Sequence, residues 1–379
     1  MPGRRALIVG ASPLMSGGEI SLVRALAHLP AHGWECATAL VVPVPGDTAE
    51  AFDGIGLAPS VFRVGRIRQV GAGLRAVRGL AHLARQADVI HANDIRAALY
   101  CQPAALLARK PWTFHARDLY AEGSGFERSL RFVRPTRVVA MSEAIATRAA
   151  SLFSWPPDRI DVVHSGLDAP AYRAEANGPA WRASVGLAST DVAVGIVGRL
   201  VEWKGQDDVL RAAAVIGRAR PEVRFFIVGG ELVDDASRWS LGREADRLRR
   251  LAAALGIADR VTLTGPTSDV SSVMAGLDIA VTASWAEPFG LVVLEAMAHG
   301  TAVVATRAGG IPEIVVDAES GMLVPPRSPA DLAAAIDGLV AEPERRRRLG
   351  EAGRRRAAEA FPVETEAVGL AATWGRIVD

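Results

Sequence analysis

Two carboxylates, Glu287 and Glu295, stand with seven residues between them in Ala283-Ser-Trp-Ala-Glu287-Pro-Phe-Gly290-Leu-Val-Val-Leu-Glu295-Ala-Met-Ala-His-Gly300. Glu287 precedes a helix whose first turn is expected at Pro288 to Leu291. The N–H groups of Phe289, Gly290 and Leu291 and the positive end of the helix dipole then face an anion at the strand end. Glu295 is expected one to two turns further in, buried among Val292, Leu294 and Met297. A carboxylate there needs partners, and the two hydroxyls of a ribose are suitable donors. Upstream, Gly198-Arg199-Leu200 runs to Lys204-Gly205 on a loop between a strand and a helix. An Arg and a Lys five residues apart offer a planar fork and a point charge to one diphosphate. Of the 43 basic residues only Lys110 and Lys204 are lysines. Near the N-terminus, Gly17-Gly18-Glu19 opens a helix, and paired glycines let a phosphate or sugar approach free backbone N–H groups. Gly309-Gly310 opens another helix downstream.

Short β-branched runs alternate with Ala/Leu/Arg helical patterns, the signature of βα units and parallel sheets. The expected fold class is α/β, with two doubly wound, Rossmann-like domains facing each other across a cleft. Strands are expected near Ala6 to Val9, Cys36 to Val42, Asp88 to His91, Trp112 to His115, Arg137 to Met141 and Ile160 to Val163. A second series is expected near Val192 to Val197, Arg224 to Val228, Val261 to Thr264, Ile279 to Val281 and Ala302 to Ala305. Between the series, Leu167 to Thr190 holds Pro170 and Asn177-Gly178-Pro179 and no strand-like run, so the hinge is expected there. In such sheets ligands bind beyond the carboxyl ends of the strands, where His91, His115, Ser142 and His164 fall.

Composition narrows the function classes. The 379 residues carry 43 Lys+Arg against 42 Asp+Glu and are 50% hydrophobic, which excludes a disordered chain and a general polyanion binder. No apolar run approaches the roughly 20 residues of a membrane-spanning helix. The apolar start, Ala6 to Val9, reads as a first strand rather than a signal peptide. Cys36 and Cys101 alone make no disulfide framework, consistent with a reducing, cytoplasmic location. The loop after Gly10 lacks the dinucleotide pattern G-x-G-x-x-G, which removes the main support for an NAD or FAD enzyme. Between Asp53 and Asp88 there is no acidic residue, while Arg63, Arg66, Arg68, Arg75, Arg78 and Arg85 fall in the window. Arg75, Arg78, His82 and Arg85 recur at helical spacing, a cationic stripe that fits either a solvated outer helix or anionic lipid. Glu344 to Arg356 is expected as an exposed helix with interleaved charges, and Val363 to Val378, with apolar Val368, Leu370, Ala371 and Trp374, as a closing helix.

The chain resembles the retaining GT-B glycosyltransferases whose hallmark is E-x7-E, the GT4 family. The matching pieces are Gly17-Gly18, Thr113-Phe-His115, Val138-Val-Ala-Met-Ser142-Glu143, Val163-His-Ser-Gly166-Leu-Asp168, Gly198-Arg199-Leu to Lys204-Gly205, Glu287 to Glu295 and Gly309-Gly-Ile-Pro-Glu313. The resemblance implies an acceptor-binding domain over residues 1–172, a donor-binding domain over 173–360, and a last helix, 361–379, returning to the first domain. It implies transfer of a sugar from a UDP- or GDP-sugar to an acceptor hydroxyl with retention of configuration. Arg199 and Lys204 would neutralise the diphosphate and Glu295 would hold the ribose. Glu287 would contact sugar hydroxyls, with the amides of Phe289, Gly290 and Leu291 beside it. Gly17 and Gly18 would approach the diphosphate, and His115 would sit near the reacting carbon. No cofactor or metal is implied, because cations and helix N-termini supply the charge.

Two departures from the family pattern stand out. Glu19 follows Gly18 directly, where the family reads Gly-Gly-x-Glu, and Ser165-Gly-Leu-Asp168 replaces Asn-Gly-Val-Asp. The expected partners are a nucleotide-sugar donor and an acceptor that is a small molecule, a glycan or a lipid-linked molecule. Arg75, Arg78 and Arg85 offer a peripheral contact with an anionic membrane at its inner face, and no nucleic acid is expected. A nucleotide-sugar epimerase, a phosphorylase and a non-catalytic nucleotide-sugar binding protein are the alternatives on the same architecture.

Overall fold

A computed structural model of the chain describes residues 3–65, 70–119, 132–217, 219–232 and 239–379. Its strands follow the β-branched runs. β1 (Arg4–Gly10), β2 (Trp34–Val42), β3 (Ser60–Arg63), β4 (Val89–Ala92), β5 (Trp112–Ala116), β6 (Arg137–Ala140) and β7 (Ile160–Val162) form one sheet, ordered β3-β2-β1-β4-β5-β6-β7. Every pairing in it is parallel, and the order reverses between β1 and β4, a Rossmann-like switch point. β8 (Val192–Val197), β9 (Val223–Val228), a small hairpin of β10 (Glu231–Leu232) and β11 (Trp239–Ser240), β12 (Val261–Gly265), β13 (Ile279–Thr282), β14 (Ala302–Thr306) and β15 (Met322–Val324) follow. Without the hairpin they make a second parallel sheet, ordered β12-β9-β8-β13-β14-β15. The two sheets give the expected α/β class.

The chain divides into two compact units, Met1–Gly166 with Val363–Asp379, and Leu167–Pro362. The expected boundary at residue 172 falls inside the helix Ala169–Ala174 of the second unit. The segment in which the hinge was expected, without a strand, holds that helix and a second one, Gly178–Ser184. Asp168 and Asn177 cap them by accepting the N–H of Ala171 and Ala180 at 2.9 and 3.0 Å, and each has a proline in its first turn. Pro170 and Pro179 start these helices, because proline lacks an N–H where none is needed.

In the first unit, Ala6 and Ile8 of β1, Leu40 and Val42 of β2 and Leu22 and Leu26 of helix Gly17–His28 form a core. The closing helix Glu364–Val378 adds Ala367, Leu370 and Trp374 to it. Trp374 is fully buried, edge-on to Trp34 with ring centroids 5.2 Å apart. Val368, read as an apolar position of this helix, is instead exposed. The second core gathers Val194, Ile196, Leu210, Phe225, Ile227, Ile279, Val281 and Val304. Among the described residues no helix is long and apolar enough to cross a membrane.

Candidate functional site

In the second unit β8 ends at Val197, and the chain turns through Arg199 and the short 3-10 turn Glu202–Lys204 into the helix Gln206–Ile216. Gly205 makes the corner at φ +74°, where a Cβ would lie 2.2 Å from the Ala283 carbonyl oxygen. Only glycine allows that approach, which brings this loop against the one leaving β13. The Trp285 N–H donates to the Trp203 carbonyl at 2.7 Å, and the Trp285 indole N–H donates to Asp208 at 2.8 Å. Gln206, buried, donates from its amide to the Arg199 carbonyl at 2.8 Å.

These backbone ties place Lys204 and Glu287 together. Lys204 Nζ lies 2.6 Å from Glu287 Oε2, and the Ser284 hydroxyl donates to the same oxygen at 2.9 Å. The two side chains are only 16% and 9% exposed, so the pair is largely shielded. Trp203 lies in cation–π range of both cations, with Lys204 Nζ 4.5 Å and Arg199 Cζ 5.7 Å from its ring centroid. Arg199 itself is exposed. Sequence reasoning found Arg199, Lys204 and Glu287 but gave Trp203 and Ser284 no role, and nothing in their spacing marked them.

The segment after Glu287 differs from expectation in two ways. The helix begins at Leu291, with Gly290 as its N-cap at φ +112°, so Pro288 to Gly290 form a turn before it. The Gly290 carbonyl accepts from Val293 and Leu294 at 2.9 and 3.2 Å, which leaves Leu291 and Val292 as the N–H groups at the helix mouth. Phe289 is buried against Phe361 with centroids 5.8 Å apart, so its side chain anchors the turn while only its backbone borders the site. Glu295 is half-buried rather than immersed. The buried face of the helix is Val293, Leu294, Ala296, Met297 and Ala298, and Glu295 lies off it with Leu291 and Val292. Gly309, at φ +55°, supports the turn from behind. A Cβ there would meet the Glu287 carbonyl at 1.9 Å, and that carbonyl accepts the Gly310 N–H at 2.9 Å.

In the first unit Gly17 and Gly18 form the first turn of Gly17–His28, as expected. Glu19 finds its partner locally: with Ser16 it forms a capping box, its carboxylate accepting from the Ser16 N–H at 3.2 Å and from the Ser16 hydroxyl. Arg117 lies close under Gly18, where a Cβ would come within 3.0 Å of Arg117 Cδ. Arg117 donates to Asn93 at 2.8 Å and to Glu366 at 2.7 Å, an ion pair whose side chains are 7% and 1% exposed. The Ser21 hydroxyl joins Glu366 and lies 2.6 Å from Ser165 Oγ. Sequence reasoning missed Arg117 and Glu366, which stand 249 residues apart.

His115, expected near the reacting carbon, is fully buried in β5. Its Nδ1 is 3.3 Å from His91 Nε2, His91 Nδ1 is 2.8 Å from Thr113 Oγ1, and His115 Nε2 has no hydrogen-bond partner. Burial, then the Arg117 charge, then His91 hold the His115 imidazole neutral well below the usual histidine range. Burial and Arg117 press His91 down to about 3. Ser142, also at a strand end, caps Glu143–Phe153 by accepting the Ile145 N–H at 3.2 Å. Among the described residues no group of three or more His, Cys, Asp and Glu side chains is arranged to hold a metal ion.

Two Rossmann-like units, with an Arg, a Lys and the E-x7-E pair at the carboxyl edge of the second sheet, define a GT-B protein, and sequence and structure comparisons agree. Residues 15–169 match the model of Glycosyltransferase Family 4 and residues 178–356 that of Glycosyl transferases group 1. The chain belongs to this family, the GT4 glycosyltransferases. It is 38% identical over 240 residues to a D-inositol 3-phosphate glycosyltransferase of Segniliparus rotundus, covering 63% of this chain and 51% of that protein. It is 39% identical over 213 residues to the protein of that name from Mycolicibacterium vanbaalenii, covering 55% and 46%. The chain thus spans about half the length of the curated relatives it matches. Among solved structures, HepE of Anabaena in complex with UDP superposes with TM-score 0.84 at 24% identity, over 98% of this chain and 100% of that one. Sucrose-phosphate synthase of Thermosynechococcus elongatus gives 0.82 at 21%, over 98% of both chains. At these identities the likeness concerns the fold.

Proposed function

We propose that the protein transfers a sugar from a nucleoside-diphosphate sugar to an acceptor hydroxyl, with retention of configuration and without a metal ion. The observation that carries this reading is the arrangement of Arg199, Lys204 and Glu287 beside the N-terminus of Leu291–His299. An ammonium has three donors, and Glu287 takes one of those on Lys204. The others remain for a diphosphate oxygen, with the Arg199 fork and the helix N-terminus adding positive potential where the leaving group gains charge. Glu287 keeps its second oxygen to accept from sugar hydroxyls, and Glu295 accepts from the ribose. Gly17 and Gly18 offer backbone N–H groups to the diphosphate. The acceptor oxygen bonds to the anomeric carbon as the carbon–oxygen bond to phosphate breaks. The departing phosphate oxygen takes the acceptor proton on the same face. His115 has no exposed surface, so its contact with the sugar requires the residues covering it to move.

UDP or GDP is the proposed nucleotide; HepE structures contain UDP or UDP-glucose. Inositol phosphate is the first acceptor to assay, because the relatives above are named for it. A thermal-shift screen against UDP, GDP, ADP, dTDP and NAD, with Mg²⁺ or with EDTA, tests the site. Metal-independent stabilisation by one diphosphate, and acceptor-dependent release of that nucleotide, are the expected results. Nucleotide formed without acceptor, or stabilisation by NAD alone, overturns the reading. The anomeric coupling constant of the product tests retention.

A peripheral contact with anionic membrane is part of the same proposal. Arg75, Arg78 and His82 on helix Val70–Ala84 and Arg85 beyond its end are exposed beside Val70 and Leu74, which are 69% and 51% exposed. Arg66 and Arg68 lie outside the described residues. Co-sedimentation with phosphatidylserine vesicles, lost in salt and with neutral vesicles, is expected; no binding at low salt removes this part.

A further inference from the structure

Trp203 is the residue of the second unit whose placement the proposed chemistry does not itself demand. It sits in the 3-10 turn Glu202–Lys204 between the two cations in sequence, and its ring is within reach of both. Its backbone is fixed by the bond from the Trp285 N–H, and Trp285 is fixed in turn by Asp208 and by Arg327, whose guanidinium stacks 4.2 Å from the Trp285 ring centroid. The Trp203 ring is therefore mounted on a braced loop rather than hanging from a free one.

The cations need such a mount. Two positive side chains meant for one diphosphate repel each other, and the exposed Arg199 loses most of its rotamer freedom if it is to stand ready. A carboxylate would hold them but would also cancel their charge and occupy their N–H donors. An indole face attracts cations through its quadrupole while carrying no net charge and accepting no conventional hydrogen bond. It can hold Arg199 and Lys204 near one another and leave their donors for the anion. Glu287 neutralises one charge of the pair; the ring accounts for how the other stays in place.

On the reading given under the proposed function, we propose that Trp203 is a positioning residue that pre-organises Arg199 and Lys204 for the diphosphate of the donor. Its contribution is specific to the charged part of the ligand. Nucleoside binding is left alone, and the anion affinity depends on the aromatic face rather than on bulk.

The test compares wild type with Trp203→Phe and Trp203→Leu, using calorimetric titration with UDP and GDP, their parent nucleosides, and inorganic pyrophosphate. Trp203→Leu is expected to weaken the better nucleoside diphosphate and pyrophosphate about tenfold, and Trp203→Phe about threefold, with nucleoside affinity and unfolding temperature unchanged. Turnover should show the loss in KM for donor more than in kcat, and added salt should narrow the gap between wild type and Trp203→Leu. Wild-type diphosphate affinity in Trp203→Leu overturns the inference. An equal loss of nucleoside and diphosphate affinity with a lowered unfolding temperature overturns it too, because that marks a merely structural ring. Lys204→Ala separates the two levels. If it loses pyrophosphate while Trp203→Leu does not, only the role of Trp203 fails; if wild type binds no diphosphate at all, the proposed function fails and this inference with it.

Discussion

Arg117 of the first unit is 8% exposed and donates to Asn93 and to Glu366, a carboxylate 1% exposed, while its Nη1 is buried without a partner. Arg199 of the second unit is exposed, and Lys204 beside it has one carboxylate, Glu287, and the face of Trp203. Both sets sit near the carboxyl ends of parallel strands, where ligands of such sheets bind. In the first unit the two charges neutralise each other out of solvent and tie Asn93, Ser21 and the closing helix together. In the second they are held in a way that leaves donors over. Position at a strand end is therefore not enough to mark a ligand site; what matters is whether the donors a side chain has left over can be reached from outside.

The largest expected effect breaks the first set. Glu366→Ala strands Arg117 in a buried place and should cost about 3–5 kcal/mol in urea unfolding, while the thermal shift caused by the donor nucleotide persists. An unchanged unfolding midpoint would show that this ion pair does not hold the first unit together. Next comes pH. His91 titrates near 3 in the folded chain and His115 well below its usual value, whereas the unfolded chain takes up protons from about pH 6.5. The unfolded state then binds more protons between these limits, so stability is full above 6.5 and falls with acidification, by about 2 kcal/mol at pH 5 from His91, with His115 acting in the same direction. Glu19 and Asp94, pushed up by burial, work in the opposite direction and damp the fall. His91→Gln should flatten the profile measured between pH 7 and 5.

The remaining effects sharpen the second set. Lys204→Ala should lower turnover at least tenfold, about 1.4 kcal/mol of transition-state stabilisation. Initial rates at saturating donor decide this. Glu295→Ala should raise the donor Kd roughly fivefold, about 1 kcal/mol, since a half-exposed acceptor gives a modest hydrogen bond. Wild-type rate and affinity in these two variants would remove Lys204 and Glu295 from the site.

What the chain disclosed in advance follows range. Val192–Val197 and Ala302–Thr306 are runs of β-branched and small apolar residues, and they became strands because local pattern decides strands. β3 and β15, with Ser60-Val-Phe-Arg63 and Met322-Leu-Val324, are edge strands that were not read from the sequence. Arg199, Lys204 and Glu287, proposed above to bind the donor, were legible through composition and order. Their actual contacts were not, since Lys204 and Glu287, 83 residues apart, meet only because β8 and β13 lie side by side. Pro288 suggested the helix start, and the left-handed Gly290 moved it to Leu291. His115 was placed on the right strand, but alternation alone does not say how much chain covers a strand end. Glu366 had no local signal, because its partner Arg117 lies 249 residues away.

The closing helix has a consequence for the order of synthesis. Trp374 and Leu370 fill a core otherwise built from the first 166 residues, and all of Leu167–Pro362 is made in between. On the ribosome the second unit can therefore complete its core while the first still waits for its last aromatic plug and for Glu366. Arg117 passes that interval without its carboxylate. The amino-terminal half emerges first and finishes last, so a fragment ending at Gly166 is an unfinished unit.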